Sequence, residues 1–301
     1  MTTSRTVTHD PARHLSTLSE CDPALVKNGI KENGAVLVRA GARAEDFEAL
    51  SDALMTPVVH HSTSYAVERD PVNRDATTAT VNKGIDAIPL HREGSYAPGC
   101  PDMLMLYCVR PADEGGETIF CDGVGLLKAL PARAREFVEG AVLKWHWKVE
   151  PERWKAALGV SSKGEAEARL KYIRARLADW EGLEARFDGD MLEGVYQTLC
   201  VIPTRWGGQK SFCNSLLIYH YRSVSDFYPK HIYTPTLGDG SPFPADVLAE
   251  IAEHARAETR GVRLAEGDIL LIDNSRCMHG REGFIDPRRR ILFRMGHVRG
   301  E

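Results

Sequence analysis

The sequence predicts a mainly β, α+β fold: a sandwich or jelly roll with flanking and inserted helices. From about Leu104 onward, short apolar runs (LMLYCV, TIF, DILLID, ILFRMG) alternate with Gly- and Pro-bearing turns, the mark of short strands joined by tight connections. Amphipathic stretches with helix end signals precede and interrupt those runs. No repeat, low-complexity tract or long Pro/Gly/Ser linker divides the chain, so residues 1–301 are expected to form a single domain.

Taken in order, ALVKNGIKENG reads as a helix closing at Gly34, AVLVRA as a strand and AEDFEALSDAL as an amphipathic helix. These three elements are expected to flank a barrel. Two helical insertions or flanking helices are expected at about 150–200 and 241–260. In the first, EAEARLKYIRARLADWEGLEARF sets Leu170, Ile173, Leu177 and Trp180 at helical spacing. In the second, PADVLAEIAEHARAE does the same with Val247, Leu248, Ile251 and Ala255, behind Ser241 and Pro244. Core packing accounts for both stripes.

Composition narrows the function classes. With 43% hydrophobic and 27% charged residues in 301 the chain reads as an ordinary folded, soluble protein. A net charge of −4 offers no global attraction for nucleic acid or an anionic membrane. The first twenty residues lack an apolar signal core, and no segment approaches the run of about 18 apolar residues that spans a bilayer. A cytoplasmic protein acting on a small molecule is expected. Cys21, Cys100, Cys108, Cys121, Cys200, Cys213 and Cys277 are odd in number and never form a C-x-x-C pair, so reduced, mostly buried thiols are expected.

The candidate metal ligands are His91 and Glu93 in His91-Arg92-Glu93, and His279 in DNSRCMHGREGF. The tripeptide alone is weak, because 11 His and 42 acidic residues in 301 supply one or two His-x-acid tripeptides by chance. On an extended strand, however, residues two apart project from one face, so His91 and Glu93 are expected to reach the same ion with Arg92 turned away. Two imidazoles and one carboxylate leave half of an octahedral iron open. A hydrolytic zinc ion with a bound water suits the same donors and is the chemical competitor. His60, His61, His146, His220, His231, His254 and His297 lack a carboxylate two residues on and are expected on the surface or hydrogen-bonded in the core.

Downstream, RRRILFR alternates. Arg288, Arg290, Leu292 and Arg294 share one face of an extended strand, and Arg289, Ile291 and Phe293 the other. Arg290 and Arg294 are expected to face into the barrel mouth, where a guanidinium fork suits a carboxylate. A solvated basic edge strand is the structural alternative.

The segments IPLHREGSY, RPADEGGETIFCDG, GDGSPFP and GDILLIDNSRCMHGREGF followed by RRRILFR, in this order, resemble the Fe(II)- and 2-oxoglutarate-dependent oxygenases of the taurine dioxygenase and clavaminate synthase type. The resemblance covers roughly Asn82 to Val298, and within the family it is nearest in look to amino-acid hydroxylases of peptide natural-product pathways, such as the syringomycin-pathway aspartyl hydroxylase. It implies a double-stranded β-helix, with iron on His91, Glu93 and His279. It also implies that Arg290 and Thr118 bind the distal carboxylate of 2-oxoglutarate and that Arg294 lies beside the substrate. Asn214, Tyr96, Ser95 and Arg205 are further substrate-side candidates, while Arg281 and Asp273 are expected to fix the distal loop. Glu93 stands where many relatives carry aspartate; related halogenases have a small residue there, so halogenation is not expected. The implied reaction consumes 2-oxoglutarate and O2, releases succinate and CO2, and hydroxylates an amino acid or another carboxylate, free or tethered to a carrier protein. Desaturation, epoxidation and cyclisation use the same cofactors, and a non-catalytic, metal-binding cupin-type barrel is the alternative outside enzymes.

Overall fold

The computed structural model describes residues 7–10, 15–59, 69–81, 84–223 and 233–299. His60, His61, His231 and Asn82 lie outside them. In chain order the strands are β1 Val7–Asp10, β2 Leu15–Leu18, β3 Ala35–Val38, β4 Met55–Pro57, β5 Ala79–Thr80, β6 Ile88–His91, β7 Met103–Arg110, β8 Thr118–Asp122, β9 Val142–Val149, β10 Gly182–Asp188, β11 Met191–Leu199, β12 Ile202–Pro203, β13 Lys210–Ser211, β14 Tyr233–Leu237, β15 Arg260–Val262, β16 Ile269–Asp273, β17 Cys277–Arg281 and β18 Arg290–Val298. The helices are α1 Pro23–Asn33, α2 Ala44–Leu54, α3 Gly123–Ala129, α4 Ala132–Gly140, α5 Pro151–Leu158, α6 Lys163–Arg174, α7 Leu216–Ser223 and α8 Ala245–Glu258.

Local chemistry explains the first elements. Asp22 caps α1 by accepting from the Ala24 and Leu25 amides at 2.8 and 3.2 Å, with Pro23 in the first turn. Gly34, at φ 76°, takes the left-handed position that ends the helix. The expected strand and second helix follow as β3 and α2.

Two sheets face each other. The larger runs β1-β2-β3-β16-β7-β18-β4, with β5 pairing on β18, and the smaller runs β15-β8-β17-β6. Leu104, Leu106, Cys108, Leu270, Ile272, Ile291 and Phe293 of the larger sheet meet Phe120, Val262 and Cys277 of the smaller. On its outer face the larger sheet sets Met103, Met105, Tyr107, Ile269, Leu271 and Leu292 against Val26, Ile30, Phe47 and Leu50 of α1 and α2. Burial on both faces is why β7 and β16 read as unbroken apolar runs.

The region 150–200 departs from the expected helical insertion. The helix α6 ends at Arg174, and GLEARF belongs to β10. There Leu183 is buried and Ala185 and Phe187 half-buried, while Glu184 and Arg186 point out, so period two prevails from Gly182. Leu177 and Trp180 still pack on the same core, outside the helix. The hairpin β10–β11 builds a further sheet, β10-β11-β9-β14, whose Leu143, Trp145, Leu183 and Leu192 share a core with Val247, Leu248, Ile251 and Ala255 of α8. Among the described residues no helix is long and apolar enough to cross a membrane, and every described cysteine is free.

Candidate metal and co-substrate site

Strand pairing brings the distant histidines together. Strands β6 and β17 run antiparallel with His91 opposite His279, and the two rings stand 4.3 Å apart between centroids. Close approach of these strands requires Gly280, because a Cβ there would sit 2.3 Å from the Ile88 carbonyl oxygen.

Glu93 arrives differently from expectation. The strand ends at His91, and Glu93 opens the turn 93–96 instead of continuing an extended run. Its Oε2 nevertheless lies 3.8 Å from His91 Nε2 and 3.9 Å from His279 Nε2, and one ligand atom from each residue falls within 4.8 Å of the others. Donors about 2.1 Å from one metal, at right angles, span edges of about 3 Å. A small contraction closes the observed cluster on an ion.

The protonation states suit a divalent metal. His91 Nδ1 lies 2.9 Å from the Pro89 carbonyl, which places the proton there and leaves Nε2 free to coordinate. Burial, then the neighbouring His91, pushes the His279 pKa well below its ordinary value, so its imidazole is neutral. Burial disfavours the Glu93 carboxylate, but Arg69, with Nη2 2.9 Å from Oε2, and the two imidazoles outweigh it. The Glu93 carboxyl is therefore held well below the usual range.

One cavity joins this cluster to a cationic wall. It is lined by His91 and His279, by Thr118, Arg69, Arg281 and Arg289, and by Val81, Ile88, Leu106, Gly280 and Phe293. Of the arginines in RRRILFR it is Arg289 that lines the cavity, and the expectation for Arg290 is corrected. A bulge between Arg290 and Ile291 shifts the register on β7, pairing Arg290 with Arg110 but Ile291 with Cys108. Ile291 and Phe293 face the sandwich interior, Arg289 turns inward on the same alternation, and Arg290 is exposed. Arg289 donates from Nη2 to the Gly116 carbonyl at 3.0 Å and lies over Phe284. Burial, then the charge of Arg281, lowers its pKa to about 10. Among the described residues no carboxylate forms an ion pair with it.

Arg294 is also corrected: it faces α2, outside the cavity. Its Nε donates to Thr78 Oγ1 at 2.8 Å, Nη2 to Thr77 Oγ1 at 2.8 Å, and Nη1 to Asp52 Oδ1 at 2.9 Å and the Glu48 carbonyl at 3.3 Å. It shares the outward side of β18 with Leu292, which packs on the helices. None of the other substrate-side candidates lines the cavity. Asn214 caps α7, accepting from the Leu216 amide at 2.9 Å and donating to the Cys200 carbonyl. Ser95 pairs with Ser215 at 2.7 Å. Tyr96 packs on the core beneath the β10-β11-β9-β14 sheet. Arg205 bridges to Asp102 at 3.2 Å in a separate depression beside Lys31 and Trp206. Arg281, by contrast, donates to the Gly84 and Asp86 carbonyls, and Asp273 accepts from the Ser275 amide and hydroxyl; both hold loops.

Sequence reasoning missed Arg69 and Arg289. Arg289 stands in the triple-arginine run, one residue before Arg290, on the strand face of Ile291 and Phe293. Arg69 carries no pattern signal; the fold alone lays it against Glu93 and, at 4.4 Å, over Phe293.

A jelly-roll scaffold with a two-histidine, one-carboxylate cluster opening toward an arginine defines the class of non-haem iron oxygenases. The model of the taurine catabolism dioxygenase TauD, TfdA family matches residues 7–295, and the chain belongs to that family. It is a 2-oxoglutarate-dependent non-haem iron dioxygenase using Fe(II), 2-oxoglutarate and O2, which sets aside the silent barrel and the zinc hydrolase. A clavaminate synthase-like protein of Arabidopsis thaliana is 27% identical over 283 residues, covering 87% of this chain and 81% of the relative. The 3-((Z)-2-isocyanoethenyl)-1H-indole synthase of Fischerella ambigua is 24% identical over 213 residues, 69% of this chain and 62% of the relative. A crystal structure of a putative alpha-ketoglutarate-dependent taurine dioxygenase from Burkholderia xenovorans shares the fold, with a TM-score of 0.61 at 17% identity, over 98% of this chain and 93% of that one.

Proposed function

We propose that His91, Glu93 and His279 hold the iron, that Arg289 and Thr118 take the distal carboxylate of 2-oxoglutarate within a double-stranded β-helix, and that the enzyme hydroxylates an aliphatic carbon of an amino acid or amino-acid-derived natural-product intermediate. The observation that carries this is the single cavity, with the imidazoles of His91 and His279 in one part of its wall and Thr118 and Arg289 in another. When bound, iron with 2-oxoglutarate and O2 supplies an oxidant for unactivated C–H bonds, releasing succinate and CO2. The chain's own part is to present the imidazoles of His91 and His279, a charged Glu93 and a guanidinium that, among the described residues, has no carboxylate in an ion pair with it. A carboxylate from 2-oxoglutarate relieves that guanidinium of a burial penalty of several kcal/mol.

Arg69 and Arg281 add positive charge to the cavity wall, which supports a carboxylate-bearing substrate, free or tethered to a carrier protein, in the cytoplasm. Glu93 fills the position that a halide would need. The Fischerella relative supports a second outcome with the same cofactors, desaturation, because its name describes an ethenyl product.

Anaerobic Fe(II) with 2-oxoglutarate is expected to give a weak visible charge-transfer band. Amino acids and aminoacyl carrier conjugates are then screened for substrate-stimulated succinate release. Product mass separates hydroxylation, a gain of one oxygen atom, from desaturation, a loss of two hydrogens. Succinate release that no amino acid or conjugate stimulates, but a non-amino-acid substrate does, overturns the substrate class and leaves the cofactor chemistry standing.

A further inference from the structure

We propose that Asn274 is a positioning residue for the metal carboxylate, gripping the main chain of Glu93 in place of a strand partner. The inference rests on Glu93 and His279 being metal ligands. Glu93 stands past the end of β6, in a turn, so no sheet ladder fixes its backbone. Asn274 supplies both halves of such a ladder. Its Oδ1 accepts from the Glu93 amide at 3.0 Å, and its Nδ2 donates to the Glu93 carbonyl at 3.0 Å. A side-chain amide offers a donor and an acceptor much as a peptide does, and can therefore mimic a neighbouring strand.

The grip extends around the loop. The Asn274 Nδ2 also donates to the Pro101 carbonyl at 2.8 Å and lies 3.3 Å from Cys100 Sγ, while the Cys100 thiol donates to the Glu93 carbonyl at 2.8 Å. Both ends of the 93–101 turn are thus held to one side chain. Asn274 is itself immobilised: it is fully buried, its amide donates to the Asp102 carbonyl at 3.0 Å, and its carbonyl accepts from the Cys213 thiol at 3.5 Å. It lies between β16 and β17, just ahead of the strand that carries His279. One segment therefore presents one ligand and clamps another, so the spacing of Glu93 from His279 is set by a short, buried connection.

Partners that orient a metal ligand typically change metal affinity about 10- to 100-fold when removed. Mn(II) binding to the full chain, followed by electron paramagnetic resonance without 2-oxoglutarate, tests the clamp independently of turnover. Asn274→Ala removes every contact of the side chain. Asn274→Asp keeps the acceptor for the Glu93 amide but faces the Glu93 and Pro101 carbonyls with an oxygen, and it decides the question if the alanine variant does not fold. Asn33→Ala is the structural control, since Asn33 is a buried amide whose side chain donates to Ser16 Oγ at 2.7 Å and to the Gly29 carbonyl, and it does not line the cavity. The Mn(II) dissociation constant is expected to rise about 10- to 100-fold in folded Asn274 variants and to stay at the wild-type value in Asn33→Ala, whose melting temperature falls. Unchanged Mn(II) affinity in folded Asn274→Asp overturns the clamp alone. Failure of the wild-type chain to bind Mn(II) overturns the metal site and the clamp with it.

Discussion

Arg289 and Arg294 come from one short segment and carry the same charge, yet the fold treats them in opposite ways. Arg294 is surrounded by acceptors: two threonine hydroxyls, the Asp52 carboxylate and the Glu48 carbonyl consume its donors between β18 and α2. Arg289 meets the Gly116 carbonyl, the Phe284 ring and the positive charge of Arg281. A guanidinium whose partners are built into the fold serves the fold; one placed where anions are scarce is ready for an anion that arrives later. The distinction rests on the partners and not on the residue type or its position in the run.

Removing each side chain should therefore move a different observable. The largest effect is expected for Arg289→Ala. Truncating one partner of a charge-assisted pair typically costs about 2–4 kcal/mol, roughly 30- to 700-fold in affinity, so anaerobic titration of the charge-transfer band should show that loss for 2-oxoglutarate. Its urea midpoint should stay level or rise, because a charge repelled by Arg281 is gone. Arg294→Met is expected to do the reverse. Losing the four hydrogen bonds of a buried guanidinium lowers stability by about 2–4 kcal/mol, read in urea unfolding, while the folded variant binds 2-oxoglutarate as the wild type does. A variant of Arg294 that loses 2-oxoglutarate affinity without losing stability would collapse the contrast.

What the sequence disclosed, and what it hid, follows the range of the signals. The elements α1, β3 and α2 were legible because Gly34 and the apolar spacing are local, and β7 and β16 because burial on both faces leaves unbroken apolar runs. The hairpin at Gly182 was hidden: Leu170, Ile173, Leu177 and Trp180 keep a helical interval past the point where the helix stops. At the site, residue types singled out His91, Glu93 and His279, but only the pairing of β6 with β17 puts them together, and Glu93 reaches them from a turn. In RRRILFR the face of Ile291 and Phe293 turns to the interior and carries Arg289 with it, so the expectation had the two faces of that strand reversed. The alternation was legible, but which of its faces met the interior depended on the sheet around it.

The facing of β18 makes a sharper prediction for the arginine between the two. Arg290 is exposed and pairs through its backbone with Arg110. Arg290→Ala should change stability by no more than about 0.5 kcal/mol and leave the charge-transfer titration superimposable on the wild type. A loss there comparable with that of Arg289→Ala would put the register one residue away from the structure described.

The smallest effect concerns the turn that aims Arg289. Asp286 accepts from the Arg288 amide, Nε and Nη2, and its carbonyl accepts from the Arg289 amide at 3.2 Å. The Arg288 side chain, then its amide, lowers the Asp286 pKa to about 2, against about 3.9 for an unperturbed aspartate. The folded value is the lower one, so the charged carboxylate stabilises the turn fully above about pH 4, and that contribution disappears as pH falls through 2. Melting temperatures of wild type and Asp286→Asn should accordingly differ by a small, constant amount above pH 5 and converge toward pH 2. Because Arg294 draws its partners from α2 and the Thr77–Thr78 segment, Asp286→Asn should weaken 2-oxoglutarate binding at neutral pH without reproducing the stability loss of Arg294→Met. If the two melting curves stay apart down to pH 2, the turn owes its shape to Pro287 and the backbone, and Arg289 is aimed without help from that carboxylate.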